Sequence, residues 1–114
     1  MDNRLNDALA FANYRLTLQV QRQNIEARVN AALIVSYQNA IFKSTQTLIT
    51  FVGLRATRAE KVLVEDNSGN VIQIENPNEF LTALLTAYDS AMELKQQELQ
   101  KLKSARSTAK IVGL

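Results

Sequence analysis

The chain has 114 residues, enough for one small domain, and 46% of them are apolar, too many for a disordered polypeptide. It contains no Cys and no His, which excludes disulfides, zinc–thiolate sites, thiol catalysis and histidine general-base chemistry. The net charge of +2 divides as +2 for residues 1–52, −1 for 53–78 and +1 for 79–114, and the last fourteen residues carry Lys101, Lys103, Arg106 and Lys110 without an acid.

Three Gly and one Pro leave few places to turn, which suits long helices. The N-terminal MDNRLNDALA lacks the basic segment and apolar core of a targeting signal. The most apolar run, Ala31 to Phe42, is interrupted by Ser36, Gln38 and Asn39 and is too short to span a bilayer. The expectation is a soluble protein without a membrane partner.

The first predicted element is a helix over about 3–52. Leu5, Leu9, Ala12, Leu16 and Val20 recur at helical spacing. A second series runs Phe11, Tyr14, Leu18, Ile25, Ala32, Val35, Phe42, and the two together suggest a broad bundle face. Gly53 is the expected stop, because glycine enters the left-handed cap conformation freely. Such a helix would measure roughly 75 Å, against roughly 45 Å for the C-terminal one. Either it bends back at the polar stretch Gln19–Asn24, or its surplus length meets another chain.

A connector over 53–61 leads to a predicted β-hairpin over 62–75. Val62 and Val64 share one face, and Ile72 and Ile74 alternate after the turn. Asp66-Asn67-Ser68-Gly69-Asn70 is turn chemistry, with Gly69 at the positive-φ position. An EF-hand starting at Asp66 would need a carboxylate at its twelfth position, where Pro77 stands, so the segment reads as a plain turn. Glu60, Glu65, Asp66 and Glu75 read as solubilising charge on exposed strands rather than as an acid–base pair. A lone hairpin is marginal in water and must lean on helices or on another chain.

Asn76-Pro77-Asn78-Glu79 starts the second long helix, about 77–106, with a cap, a proline at the first position and a capping-box glutamate. Its seam reads Leu81, Leu85, Tyr88, Met92, Leu99, Leu102, with Lys95 as a polar interruption that either fixes register or snorkels at a bundle end. Residues 107–114 are a short tail. Lys101, Lys103, Arg106 and Lys110 form a possible basic patch, and with Arg55, Arg58 and Lys61 they could supply the phosphate contacts of non-specific binding. No aromatic residues interleave with them to stack on bases, which argues against nucleic acid.

On DNRLNDALAFANYR (2–15), Ile41-Phe42, Leu48-Ile49-Thr50-Phe51-Val52 and KLKSARSTAKIVGL (101–114), the chain resembles small proteins of tailed phages, particularly T4-like phages of marine cyanobacteria. That resemblance implies a virion or assembly role, with another phage structural protein as a partner, and carries over no functional residues. The order helix, hairpin, helix is also similar to a β-type prefoldin subunit, although here the first helix is longer than the last and carries less heptad charge.

The expected fold is mainly α: long antiparallel helices, as a helical hairpin or bundle, with one central β-hairpin in a single domain over 1–114. The expected function is non-enzymatic and without a cofactor or metal: a structural or assembly protein that homo-oligomerises through its helical seam and hairpin, in a virion or host cytoplasm. A prefoldin-like chaperone and a non-specific nucleic-acid-binding accessory protein are the alternatives.

Overall fold

The computed structural model describes residues 3–58 and 60–111, with the side chains of residues 4–58 and 60–105. The chain runs α1 (Asn3–Ala32), β1 (Ile34–Tyr37), β2 (Ala40–Lys43), α2 (Gln46–Thr57), β3 (Leu63–Glu65), β4 (Val71–Gln73) and α3 (Pro77–Ile111). It is mainly helical, as the sequence suggests, but two small antiparallel hairpins, not one, lie between the long helices.

The predicted 3–52 helix is therefore two helices and a hairpin. α1 runs unbroken through Gln19–Asn24 and ends at Ala32, so the chain does not fold back there. The physical reason lies in the next residues. Ile34, Val35 and Tyr37 favour strands, and inward Val35, Ala40 and Phe42 alternate with outward Ile34, Ser36, Ile41 and Lys43. Gln38 (φ 49°) and Asn39 (φ 60°) both take positive φ, the requirement of a two-residue hairpin turn. Val35 and Phe42, seven apart and so stacked on an imagined helix, instead face each other across the β1–β2 ladder.

Thr45 then caps α2, its Oγ1 accepting from the Leu48 amide at 3.1 Å. Gly53 does not stop a helix; it lies within α2, beside Leu81 of α3. The connector begins only at Arg58, where Glu60 meets Arg55 at 3.3 Å and Arg58 at 3.8 Å.

The β3–β4 hairpin lies where its turn chemistry places it. Asp66 Oδ1 accepts the Ser68 and Asn70 amides, both at 2.9 Å, and Gly69 has φ 86°. The Asn76 side chain accepts the Glu79 amide at 3.2 Å and donates to its carboxylate at 3.4 Å, the reciprocal cap that starts α3. α3 continues past the predicted end at 106 to Ile111, so most of the expected tail is helix; Val112, Gly113 and Leu114 lie outside the described residues.

Two cores result. In the head, both hairpins and α2 pack on the first turns of α3 through Val35, Phe42, Val52, Val62, Val64, Ile74, Phe80 and Leu84. Phe80 is the hub, with its ring centroid 4.9 Å from those of Phe42 and Tyr37. In the stalk, Ile25 and Val29 of α1 and Leu33 just after it meet Ala91 and Leu102 of α3. The helices are antiparallel: Leu33 is near the head, while Gln21 and Ile25 share a groove with Leu102 and Ala105. Arg28–Glu98 at 3.2 Å and Glu26–Lys95 at 3.1 Å flank this seam, so Lys95 is an ion-pair partner across helices. The molecule is a rod of 72 × 25 × 18 Å. Its radius of gyration is 20.9 Å, where a compact chain of this size would have roughly 13 Å.

Candidate functional site

Among the described residues, no group of three or more Asp or Glu side chains could hold a metal ion. Of the four carboxylates around the second hairpin, Glu60 is engaged by two arginines and Asp66 by its own turn. Tyr37 has its pKa raised, first by burial and then by the nearby charges of Glu79 and Glu75, and its hydroxyl donates to the Asn76 carbonyl at 3.3 Å. That holds the phenol neutral as a packing group at the head's edge.

The side of α3 that packs within the chain is one position away from the expected seam. Phe80, Leu84, Ala91 and Leu102 are buried. Leu81, Tyr88 and Met92 are half-buried, and Leu85 and Leu99 are 41% and 40% exposed. At about 100° per residue, the expected seam lies on the flank of the buried one. It is the edge of the intrachain contact, with Leu102 common to both.

The second hairpin's Val62, Val64 and Ile74 point into the head core and Ile72 packs against it. Its outer face carries Leu63 and Val71, and that of the first hairpin Ile34 and Ile41, all exposed. The two hairpins are tied to one another. Gln38 donates to the Gln73 carbonyl at 3.0 Å and accepts from the Glu75 amide at 2.8 Å, and the Asn67 amide donates to the Ile41 carbonyl at 2.8 Å. Part of the strand edge available for pairing is thus used inside the chain.

The largest departure from burial is on α1. Ile25 and Val29 face α3, but Leu5, Leu9, Leu16 and Val20 are 60%, 55%, 59% and 45% exposed, and Ala12 between them is exposed as well. On a helical wheel these five occupy an arc of roughly 80°, centred roughly 160° from Ile25 and Val29. The two apolar series of the sequence are therefore not one broad face. Leu18, Ile25 and Ala32 of one belong to the stalk, its Val35 and Phe42 to the head and its Phe11 is exposed, while the other forms a strip on the far side of the helix. The angular separation is the signal that reveals this, and merging the series hides it.

Among the described side chains, Arg55, Arg58 and Lys101 of the basic residues are engaged with acids. Arg55 stacks 4.3 Å from the Phe51 ring centroid while pairing with Glu60, and Lys101 pairs with Glu98 at 3.6 Å. Lys61 and Lys103 are exposed, and the side chains of Arg106 and Lys110 lie outside the described residues. No helix among the described residues is long and apolar enough to cross a membrane.

No protein-family model matches this chain, and neither characterised proteins nor solved structures give a significant match.

Proposed function

We propose that the chain is a non-enzymatic assembly protein that works by association of its helical arm, as a component of a tailed-phage virion or of its assembly in the host cytoplasm. The observation that carries the reading is the exposed strip Leu5, Leu9, Ala12, Leu16, Val20 on a helix that leaves the head. A contiguous apolar strip rimmed by polar residues marks an interaction surface. The first eighteen residues of α1 also have little packing to hold them helical, and isolated helices of about 12–15 residues are marginal in water. The phage setting rests on the sequence resemblance in α1 and at the C-terminus. Ile34, Ile41, Leu63 and Val71 supply a second surface at the head, suited to docking on another structural protein.

Light scattering over a concentration series tests this directly, because it reads mass independently of the rod shape that would mislead gel filtration. Masses above the 12.8 kDa of one chain support the proposal. A constant single-chain mass at every concentration removes the homo-oligomeric form of it.

A second reading, a prefoldin-like chaperone, draws on the paired antiparallel helices leading out of a strand-bearing head. It requires suppression of aggregation of unrelated unfolded proteins. A nucleic-acid role would require steeply salt-dependent DNA retention, lost when Lys101, Lys103, Arg106 and Lys110 become Gln.

A further inference from the structure

We infer that the two hairpins close each other's outer edges, and that the Gln38 side chain is the plug that keeps β4 from accepting a strand of a second copy. Within the second hairpin the Asp66 amide bonds the Asn70 carbonyl, and the Ile74 amide bonds the Val62 carbonyl. Val64 stands opposite Ile72 between them. The alternation of an antiparallel ladder then turns the amides and carbonyls of Val71, Gln73 and Glu75 away from β3, where a further strand would use them. One side chain occupies two of these groups. The Gln38 carboxamide donates to the Gln73 carbonyl at 3.0 Å and accepts from the Glu75 amide at 2.8 Å. A carbonyl and the amide two residues on, both bonded to one residue, is how a parallel strand engages an edge. The carboxamide has the donor and acceptor of a peptide group, so it stands in for that strand without offering an edge of its own.

The other turn returns the contact: the Asn67 amide donates to the Ile41 carbonyl of β2 at 2.8 Å. The β4 edge needs such closure. Val71 to Ile74 is an uncharged run with three β-branched residues and no Gly or Pro, and Val71 is 68% exposed. A run of that kind on an open edge pairs with its like. The plug also accounts for an unfavourable residue. Gln38 holds φ 49°, where Asn or Gly is usual. Asn is one methylene shorter and would not reach across to β4.

Gln38→Asn therefore separates the plug from the turn, since Asn keeps the positive φ and gives up the reach. In the full chain, light scattering should give this variant at least about twice the mass of the wild type at the same concentration, as a two-fold edge-to-edge pair requires. Any association through α1 is common to both chains and cancels. The Glu75 amide should exchange fast in dilute variant and slowly once the mass has risen. Adding Val71→Lys, a charge on the opened edge, should return the mass to that of the wild type. Asn67→Pro tests the reciprocal contact. The Gly69 amide bonds the Asp66 carbonyl at 3.1 Å, which puts Asn67 second in a tight turn, where proline is favoured. Proline there removes the amide that caps Ile41, and the mass should again rise. Equal masses for Gln38→Asn and the wild type, with the Glu75 amide freed, would overturn the inference. So would a slow Glu75 amide in the dilute variant, or a raised mass that Val71→Lys leaves unchanged. Should Gln38→Asn not fold, Asn67→Pro decides: a raised mass supports mutual closure and an unchanged mass ends it.

Discussion

The head and the free half of α1 are built from similar apolar fractions but put them to opposite use. In the head, Phe42, Val52, Val62, Phe80 and Leu84 are at most 1% exposed, and the one buried polar side chain among the described residues, Ser44, donates to the Leu84 carbonyl at 2.5 Å. In residues 4–20 of α1, none is buried. Burial of large side chains is what stabilises a fold, so the head holds the molecule's own stability. The arm's exposed apolar groups contribute little to it, and under the proposed function they are covered in a complex.

The sharpest way to break that comparison is to remove one large side chain from each region. Phe80→Ala opens a cavity between both hairpins and α3 and should destabilise the protein by about 3–5 kcal/mol. Leu9→Ala should change monomer unfolding by less than about 0.5 kcal/mol. Urea melts at low protein concentration measure both. A loss of several kcal/mol for Leu9→Ala would mean that the strip is packed even in the monomer. Amide exchange should show the same contrast, slow through Leu84 and fast before Val20.

How legible this was in the sequence follows the strength of local signals. The second hairpin and the start of α3 are specified by residues with single uses: Asp66 and Gly69 in the turn, Asn76, Pro77 and Glu79 at the cap. The first hairpin carries no glycine or proline. Its turn is Gln38-Asn39, and its strands alternate for four residues each, so that Ala31 to Phe42 satisfies a helical period as well as a strand period. What decides between them is tertiary: Val35, Ala40 and Phe42 reach the core beside Phe80 only as strands. The expected α3 seam lies on the flank of the buried one, with Leu81, Tyr88 and Met92 packed against the cores and Leu102 buried, for a related reason. Leucine spacing alone does not say which flank of a broad apolar face a neighbour will take, and the neighbours here include α2 and a hairpin that the long-helix reading lacked.

A smaller effect should locate the joint between the two hairpins. Gln38 adopts φ 49°, a conformation that side chains other than Gly, Asn and Asp seldom take. Its amide bonds the Gln73 carbonyl and Glu75 amide. Gln38→Ala keeps the backbone cost and removes both contacts, so a loss of about 1–3 kcal/mol is expected. Gln38→Gly removes the contacts but relieves the backbone and should lose less. Equal melts for the wild type and both variants would show that the two hairpins hold together without this clamp.

The smallest effect has the opposite sign and separates two accounts of one residue. Were Gly53 a helix stop in the left-handed region, Gly53→Ala would be strained and destabilising. Inside α2 it takes no positive φ, and an added methyl would sit 3.8 Å from the Leu81 side chain, an ordinary contact. Glycine within a helix costs about 0.5–1 kcal/mol relative to alanine, because more backbone freedom is lost on folding. Gly53→Ala should therefore raise the melting temperature by about 2–6 °C. The gain belongs to the head, where α2 packs on α3. A lowered melting temperature would return Gly53 to the role of a stop and end α2 five residues early.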